Sequence, residues 1–115
     1  MSEELPVYDD FGSREQLARE FGIKLDELNG LQILYAWYSL EGYEGWAHVV
    51  VRNEQGELFD CESAHCSCDG LDWALGPTTL GALKMYPTKP RWKGDEQRPN
   101  WDKLIAYLEH ENNGN

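Results

Sequence analysis

Residues 31–62 read LQILYAWYSLEGYEGWAHVVVRNEQGELFDCE. Three runs rich in β-branched and aromatic side chains are separated by two glycine-bearing connections, the pattern of an antiparallel β-meander. The second connection, Asn53-Glu54-Gln55-Gly56, has the length of a four-residue hairpin turn and would set Arg52 across from Glu57, opposite charges at facing positions. The first, SLEGYEG at 39–45, is longer and presents Glu41, Tyr43 and Glu44 beside two glycines. Loops carried on a rigid sheet are common binding elements, so this tip is a candidate contact surface. Alternation sorts the strands into faces. Ile33, Tyr35 and Trp37 share one side of the first strand, and Leu34, Ala36 and Tyr38 the other. Ala47, Val49 and Val51 are uniformly apolar and face a core. His48 then lies with Trp46 and Val50 on a half-covered opposite face, where it reads as a sheet-face imidazole and not as a catalytic group. Phe59 and Cys61 share a face, and Asp60 and Glu62 point the other way.

Helices are expected on either side of this meander. Ser13-Arg14-Glu15-Gln16 has the S-x-x-Q form of a capping box, and Gly22 is placed to end the helix that follows. Leu17, Ala18 and Phe21 form its inner side. A further turn over Lys24–Asn29 would close at Gly30. The segment LAREFGIKLDELNGL imitates helix-turn-helix spacing, but its second half carries Asp26 and Glu27 against Lys24, the wrong sign for a helix facing phosphates. Beyond the meander, PTTLGALKM predicts a short helix capped by Thr78 or Thr79, with Leu80 and Leu83 inward. Trp101, Leu104, Ile105 and Leu108 then fall at i, i+3, i+4 and i+7 on a final helix of about three turns, with Asn100 as its N-cap.

The stretch CESAHCSCDGLDW at 61–73 holds all three cysteines of the chain. Cys61, His65, Cys66 and Cys68 are the candidate metal ligands. Their spacing is compressed, whereas structural zinc ties together two separated ligand pairs. Cys66-Ser67-Cys68 is one residue short of the usual dithiol spacing, and Asp69 beside it would raise a thiol's pKa, not lower it. His65 is next to Cys66 in sequence, yet no third residue that would orient it is identifiable. The stretch therefore reads as a tight structural turn at Asp69-Gly70, packed with small side chains, in which His65 and Asp69 are candidate partner contacts. No metal and no cofactor is expected.

The bulk properties set the frame. With 115 residues the chain is expected to be one domain, 1–115, with its core meander at about 31–68 and a C-terminal loop and helix at 86–112. No apolar run is long enough to span a bilayer, and the acidic start MSEELPVYDD lacks the order of a secretory signal. An odd cysteine count packed into one stretch fits a reducing, cytoplasmic compartment. The net charge is −11 and lopsided: residues 1–75 carry 16 acidic and 4 basic side chains, a net of −12, while residues 76–115 carry 5 and 6. Such a field repels polyphosphate and attracts basic surfaces. The exception is KMYPTKPRWKGDEQRPNW, which interleaves Lys84, Lys89, Arg91, Lys93 and Arg98 with Tyr86, Trp92 and Trp101. Cationic tracks with aromatic platforms hold single-stranded nucleic acid, so this loop is the alternative binding element.

With these motifs in view, residues 31–84 resemble a group of small uncharacterised proteins of bacteriophages and bacteria. Their shared features are a Tyr-rich strand, a hairpin matched here at Tyr43 and Gly45, a His-Cys-Ser-Cys run matched at 65–68, then Gly70-Leu71 and a Thr-Thr-Leu helix start at Thr78-Thr79-Leu80. This chain departs from them after Leu71, where DWALGP replaces a longer segment, and past Lys84. The resemblance implies a phage or bacterial origin and transfers no activity. It also places Cys61 outside the shared run, which counts against a four-ligand zinc site. The expected fold is α+β: an N-terminal helix, a three-stranded antiparallel meander, and C-terminal helices packed on the sheet. The expected function is non-enzymatic, since no triad, phosphate loop or carboxylate pair can be assembled. The chain would bind and modulate a host or phage protein with a basic surface, acidic mimicry of nucleic acid being one route. It would do so in the bacterial cytoplasm or in the host cell during infection, through Glu41, Tyr43, Glu44, His65 and Asp69. The alternatives are the nucleic-acid loop and a metal or thiol role for the His-Cys-Ser-Cys run.

Overall fold

The computed structural model describes residues 6–41, 44–66, 71–85 and 98–113, with the backbone alone at 40, 41, 44, 65, 66, 98, 112 and 113. The meander forms the centre of the sheet: β2 (Gln32–Glu41), β3 (Glu44–Arg52) and β4 (Leu58–Cys66) pair antiparallel in sequence order. The α+β class holds, but the sheet has five strands and is mixed. A two-residue β1 (Tyr8–Asp9) runs parallel to β2, and a two-residue β5 (Gly76–Pro77) pairs antiparallel with β4. The expectation of three strands is corrected here, because strands of two residues are too short to announce themselves by periodicity. Short β1 is extended by side-chain chemistry. Val7 and Asp10 donate to the carbonyls of Leu34 and Ala36 (2.8 and 2.9 Å), and Asp10 Oδ2 accepts from the Tyr38 N–H at 3.0 Å, the place a further strand residue would take.

Both sheet faces are covered. On one side lies α1 (Arg14–Phe21), followed by a 3-10 turn at Leu25–Leu28. Ser13 Oγ accepts from the Gln16 N–H (3.1 Å), and Gly22 ends the helix in the left-handed region at φ 68°, a conformation that costs glycine little. Phe11, Leu17, Ala18, Phe21 and Leu28 pack there against Ile33, Ala36, Ala47, Val49, Val51 and Cys61. On the other side Thr79 caps α2 (Leu80–Leu83), and α3 spans Arg98–Asn113. Leu83, Trp101, Leu104, Tyr107 and Leu108 pack against Leu34, Tyr35, Trp37 and Val50. Burying one such aliphatic side chain contributes about 1.5–3 kcal/mol relative to leaving it in water. The expected stripe on the last helix is therefore present. The helix starts two residues before Asn100, however, because Pro99 sits in the first turn, where a missing N–H costs nothing.

Two local readings are corrected. The β2–β3 register shifts between Ile33 and Tyr35, so a bulge turns Leu34 and Tyr35 to the same side. Leu34, Tyr35 and Trp37 consequently face α3, while Ile33, Ala36 and Tyr38 face α1. The β3–β4 connection sets Arg52 opposite Leu58, not Glu57. Asn53 Oδ1 accepts from the N–H groups of Gln55 and Glu57 (3.0 and 2.8 Å), and Gly56 at φ 86° completes the longer loop.

The bulge drives the Tyr35 phenol into the core under α3, where it is fully buried. Burial first, then Tyr8 and Asp10 nearby, hold its pKa well above the ordinary value of 10. The unfolded chain loses this proton from about pH 10 upward while the folded chain keeps it, so stability falls as pH rises through that range. Tyr35→Phe has no such proton. Urea unfolding at about pH 10 and 11 should show a fall in unfolding free energy flatter than that of the parent by about 1 kcal/mol per pH unit.

Candidate functional site

The β-ladder brings three of the sequence-predicted contact residues, Glu41, Glu44 and His65, to one end of the sheet. Glu41 pairs with Glu44 across the β2–β3 hairpin, Gly45 with His65, and Glu44 with Cys66. The hairpin tip and the end of β4, far apart in sequence, are thus neighbours through β3. Tyr43 and Asp69 lie outside the described residues. The cysteine-rich stretch is not a turn throughout, because Cys61 to Cys66 is regular strand.

That extension decides the place of Cys61. A strand rises about 3.4 Å per residue, so Cys61 and Cys66 stand ~17 Å apart along β4. Two thiolates sharing one zinc ion each lie within about 2.3 Å of it. Cys61 therefore cannot belong to one tetrahedral set with Cys66. Instead it is buried on the α1 side, where its thiol donates to the Asp72 carbonyl at 3.3 Å. Burial pushes that thiol's pKa up, and the backbone contact at Ala74 only partly offsets it. Among the described residues no group of three or more His, Cys, Asp or Glu side chains could hold a metal ion. Cys68 lies outside the described residues.

The constellation that looks most like chemistry is one that sequence reasoning left as a half-covered sheet position. His48 is 1% exposed, because α3 covers the face on which it lies. Its Nε2 is 2.8 Å from Asp60 Oδ2. A carboxylate oxygen accepts, so Nε2 carries the hydrogen and donates it. The imidazole lies nearly parallel to Trp101 (centroids 5.2 Å, 27°), and Tyr35 meets the same indole edge-on at 5.0 Å. Trp101 Nε1–H in turn donates to the Leu83 carbonyl at 3.2 Å, tying α2 to the cluster. A His–Asp pair can serve as a base, but this imidazole is sealed beneath an indole, so a substrate cannot reach it. What it does is hold a helix. The sequence signal was available: Asp60 points away from Phe59 and Cys61, as His48 points away from Val49.

Farther along β3, Arg52 fastens the other end of α3. Its guanidinium donates to Gln32 Oε1 (2.7 and 3.1 Å), Glu111 Oε1 (2.9 Å) and Tyr107 Oη (3.0 Å). It borders a cleft of about 640 Å³ that is also lined by Gly30, Gln32, Glu54 and Glu111. Of the basic and aromatic residues of the KMYPTKPRWKGDEQRPNW segment, the side chains of Lys84 and Trp101 are described. Lys84 is paired with Glu109 at 2.8 Å, and Trp101 is buried in the core. Tyr86, Lys89, Arg91, Trp92 and Lys93 lie outside the described residues. No described helix is long and apolar enough to cross a membrane.

Comparison with protein-family models, with curated proteins and with solved structures finds no match to this chain. The reading of the site therefore rests on its own geometry. Asp60→Ala takes from a buried imidazole the acceptor of its Nε2 hydrogen. It should lower stability by about 1–3 kcal/mol, measured by urea denaturation, whereas Lys103→Ala, at an exposed position of α3, should change it by less than about 0.5 kcal/mol.

Proposed function

We propose that this chain is a small acidic binding protein, without chemistry of its own, that docks a basic protein partner at the end of the sheet where the β2–β3 tip meets the end of β4. The observation that carries the reading is the register: Glu41 pairs with Glu44 and Glu44 with Cys66, which brings two separate candidate segments to one place. The net charge of −11 supports a basic partner, drawn in over a Debye length of about 8 Å at physiological salt. The sealing of His48 and the burial of Trp101 support binding over catalysis and over base stacking, since both groups are committed to the core. The resemblance to phage and bacterial proteins with a His-Cys-Ser-Cys run makes a phage-encoded modulator of a host protein the natural setting. Competition with nucleic acid for the partner's basic surface is the route by which it would modulate.

The test is kinetic. With a partner recovered by pull-down, Tyr43→Ala should speed dissociation about ten-fold, because tyrosine anchors bury area at low entropy cost. Charge reversal at Glu41 and Glu44 should chiefly slow association and flatten its salt dependence. Binding kinetics at two salt concentrations read both effects. Unchanged kinetics in both variants would remove this end of the sheet from the interface.

A further inference from the structure

The ladder between β4 and β5 stops early. β5 pairs with β4 at Phe59 and Asp60, and the Thr78 N–H donates to the Leu58 carbonyl at 3.0 Å. Within a strand, a residue's N–H and C=O point to the same side, and alternate residues repeat that direction. β4 holds an unbroken register against β3 from Leu58 to Cys66. Since the Leu58 carbonyl faces β5, the backbone groups of Ala64 and Cys66 face that same outer side. Pro77, which has no N–H to offer, stands opposite Phe59, whose backbone groups point to β3 instead.

Beyond Asp60, β4 continues to Cys66, and no described strand pairs with it on this side. The chain does return nearby, but below the sheet. Leu71 is buried in the α1 cluster, the Asp72 N–H donates to Ser63 Oγ at 3.0 Å, and Trp73 packs edge-on against Phe21. These contacts use side chains on the α1 face, and no strand among the described residues takes up the outward backbone groups of Ala64, an exposed residue. The opposite edge of the sheet differs, since β1 and the Asp10 carboxylate occupy the β2 ladder as far as Tyr38.

We infer that the outer edge of β4 around Ala64 accepts an extended basic segment of a protein partner as an added antiparallel strand. The inference rests on the proposed binding role and adds its mode. Strand addition draws affinity from main-chain hydrogen bonds and specificity from alternate side chains. Directly opposed residues of an antiparallel pair share a face, so alternating lysines of the added strand would lie along an edge that belongs to the acidic part of the chain, residues 1–75 with a net charge of −12. A second copy of this chain would bring another net charge of −11 to the same edge, which disfavours pairing with itself.

The experiment follows the Ala64 amide by NMR hydrogen exchange, with a synthetic decapeptide of alternating Lys and Val as probe and the same sequence N-methylated throughout as control. The Ala64 amide should exchange rapidly in the free protein and at least ten-fold more slowly with the Lys-Val peptide, with no change from the methylated one. Ala64→Pro, which removes the outward N–H, should weaken peptide binding at least ten-fold, and Ala64→Thr should retain it. An Ala64 amide already protected in the free protein would overturn the inference, as would equal binding of the methylated peptide. Protection that grows with protein concentration alone would assign the edge to a second copy and likewise overturn it. A recovered partner that binds Ala64→Pro like the parent, yet loses affinity on charge reversal at Glu41 and Glu44, overturns strand addition while leaving the proposed docking end intact.

Discussion

Trp101 lies against His48, and much of the fold is arranged around that contact. The indole is fully buried, with the imidazole on one side, the Tyr35 ring at its edge, and its N–H given to the Leu83 carbonyl. His48 is held in place by Asp60 from the next strand. One side chain of α3 thereby touches β2, β3 and α2, and through His48 answers to β4. Arg52 repeats the arrangement at the far end, bonded to Tyr107 and Glu111. Four residues of β3 cover ~13 Å between His48 and Arg52, and six residues of α3 cover ~9 Å between Trp101 and Tyr107. The helix therefore runs along β3 in the same direction, fixed at both ends by a polar group whose partners are specific. Apolar burial supplies most of the attraction, and the two polar fastenings set the helix's position.

Among the described residues, both faces of the sheet are covered, and its ends and edges are not. α1 and the 71–75 segment occupy one face, and α2 and α3 the other. The cleft beside Arg52 is bordered by a guanidinium already engaged by three residues, so it offers few unspent donors. The β2–β3 hairpin, the end of β4 and its outer edge adjoin one another. The acidic character of residues 1–75 gives that region a long-range attraction for cations, which acts on encounter more than on residence time.

Much of this was legible in the sequence. The Ser13 and Thr79 caps, the Gly22 stop, the three long strands and the apolar stripe of the last helix follow from local chemistry and are all present. What was misread concerns counting. Pairing Arg52 with Glu57 slips the β3–β4 ladder by one residue and would set Val49 opposite Asp60, mixing a core face with a polar one. The observed register, with Arg52 opposite Leu58, keeps Val49 facing Cys61 and brings Asp60 within reach of His48. The hydrophobic pattern held that answer, and the turn length concealed it. The bulge at Leu34-Tyr35 was hidden for another reason. Both faces of β2 are buried, so both are apolar, and alternation carries no information about which residue belongs to which side. The two short edge strands leave no periodic trace. The candidate docking residues were read one by one from the sequence, while the proximity of Glu41, Glu44 and His65 needed the register.

The central claim is that the polar contact between β4 and β3 orients His48 and thereby holds α3 on the sheet. Native-state hydrogen exchange of the parent and of Asp60→Asn, a substitution that keeps the shape and removes the charge, tests it most directly. The account predicts that amides of 104–110 in α3 lose about ten-fold in protection, equivalent to about 1.4 kcal/mol, while amides of 17–21 in α1 change far less, because α3 opens without the rest of the domain. Equal loss of protection in both helices, or none in α3, would contradict it.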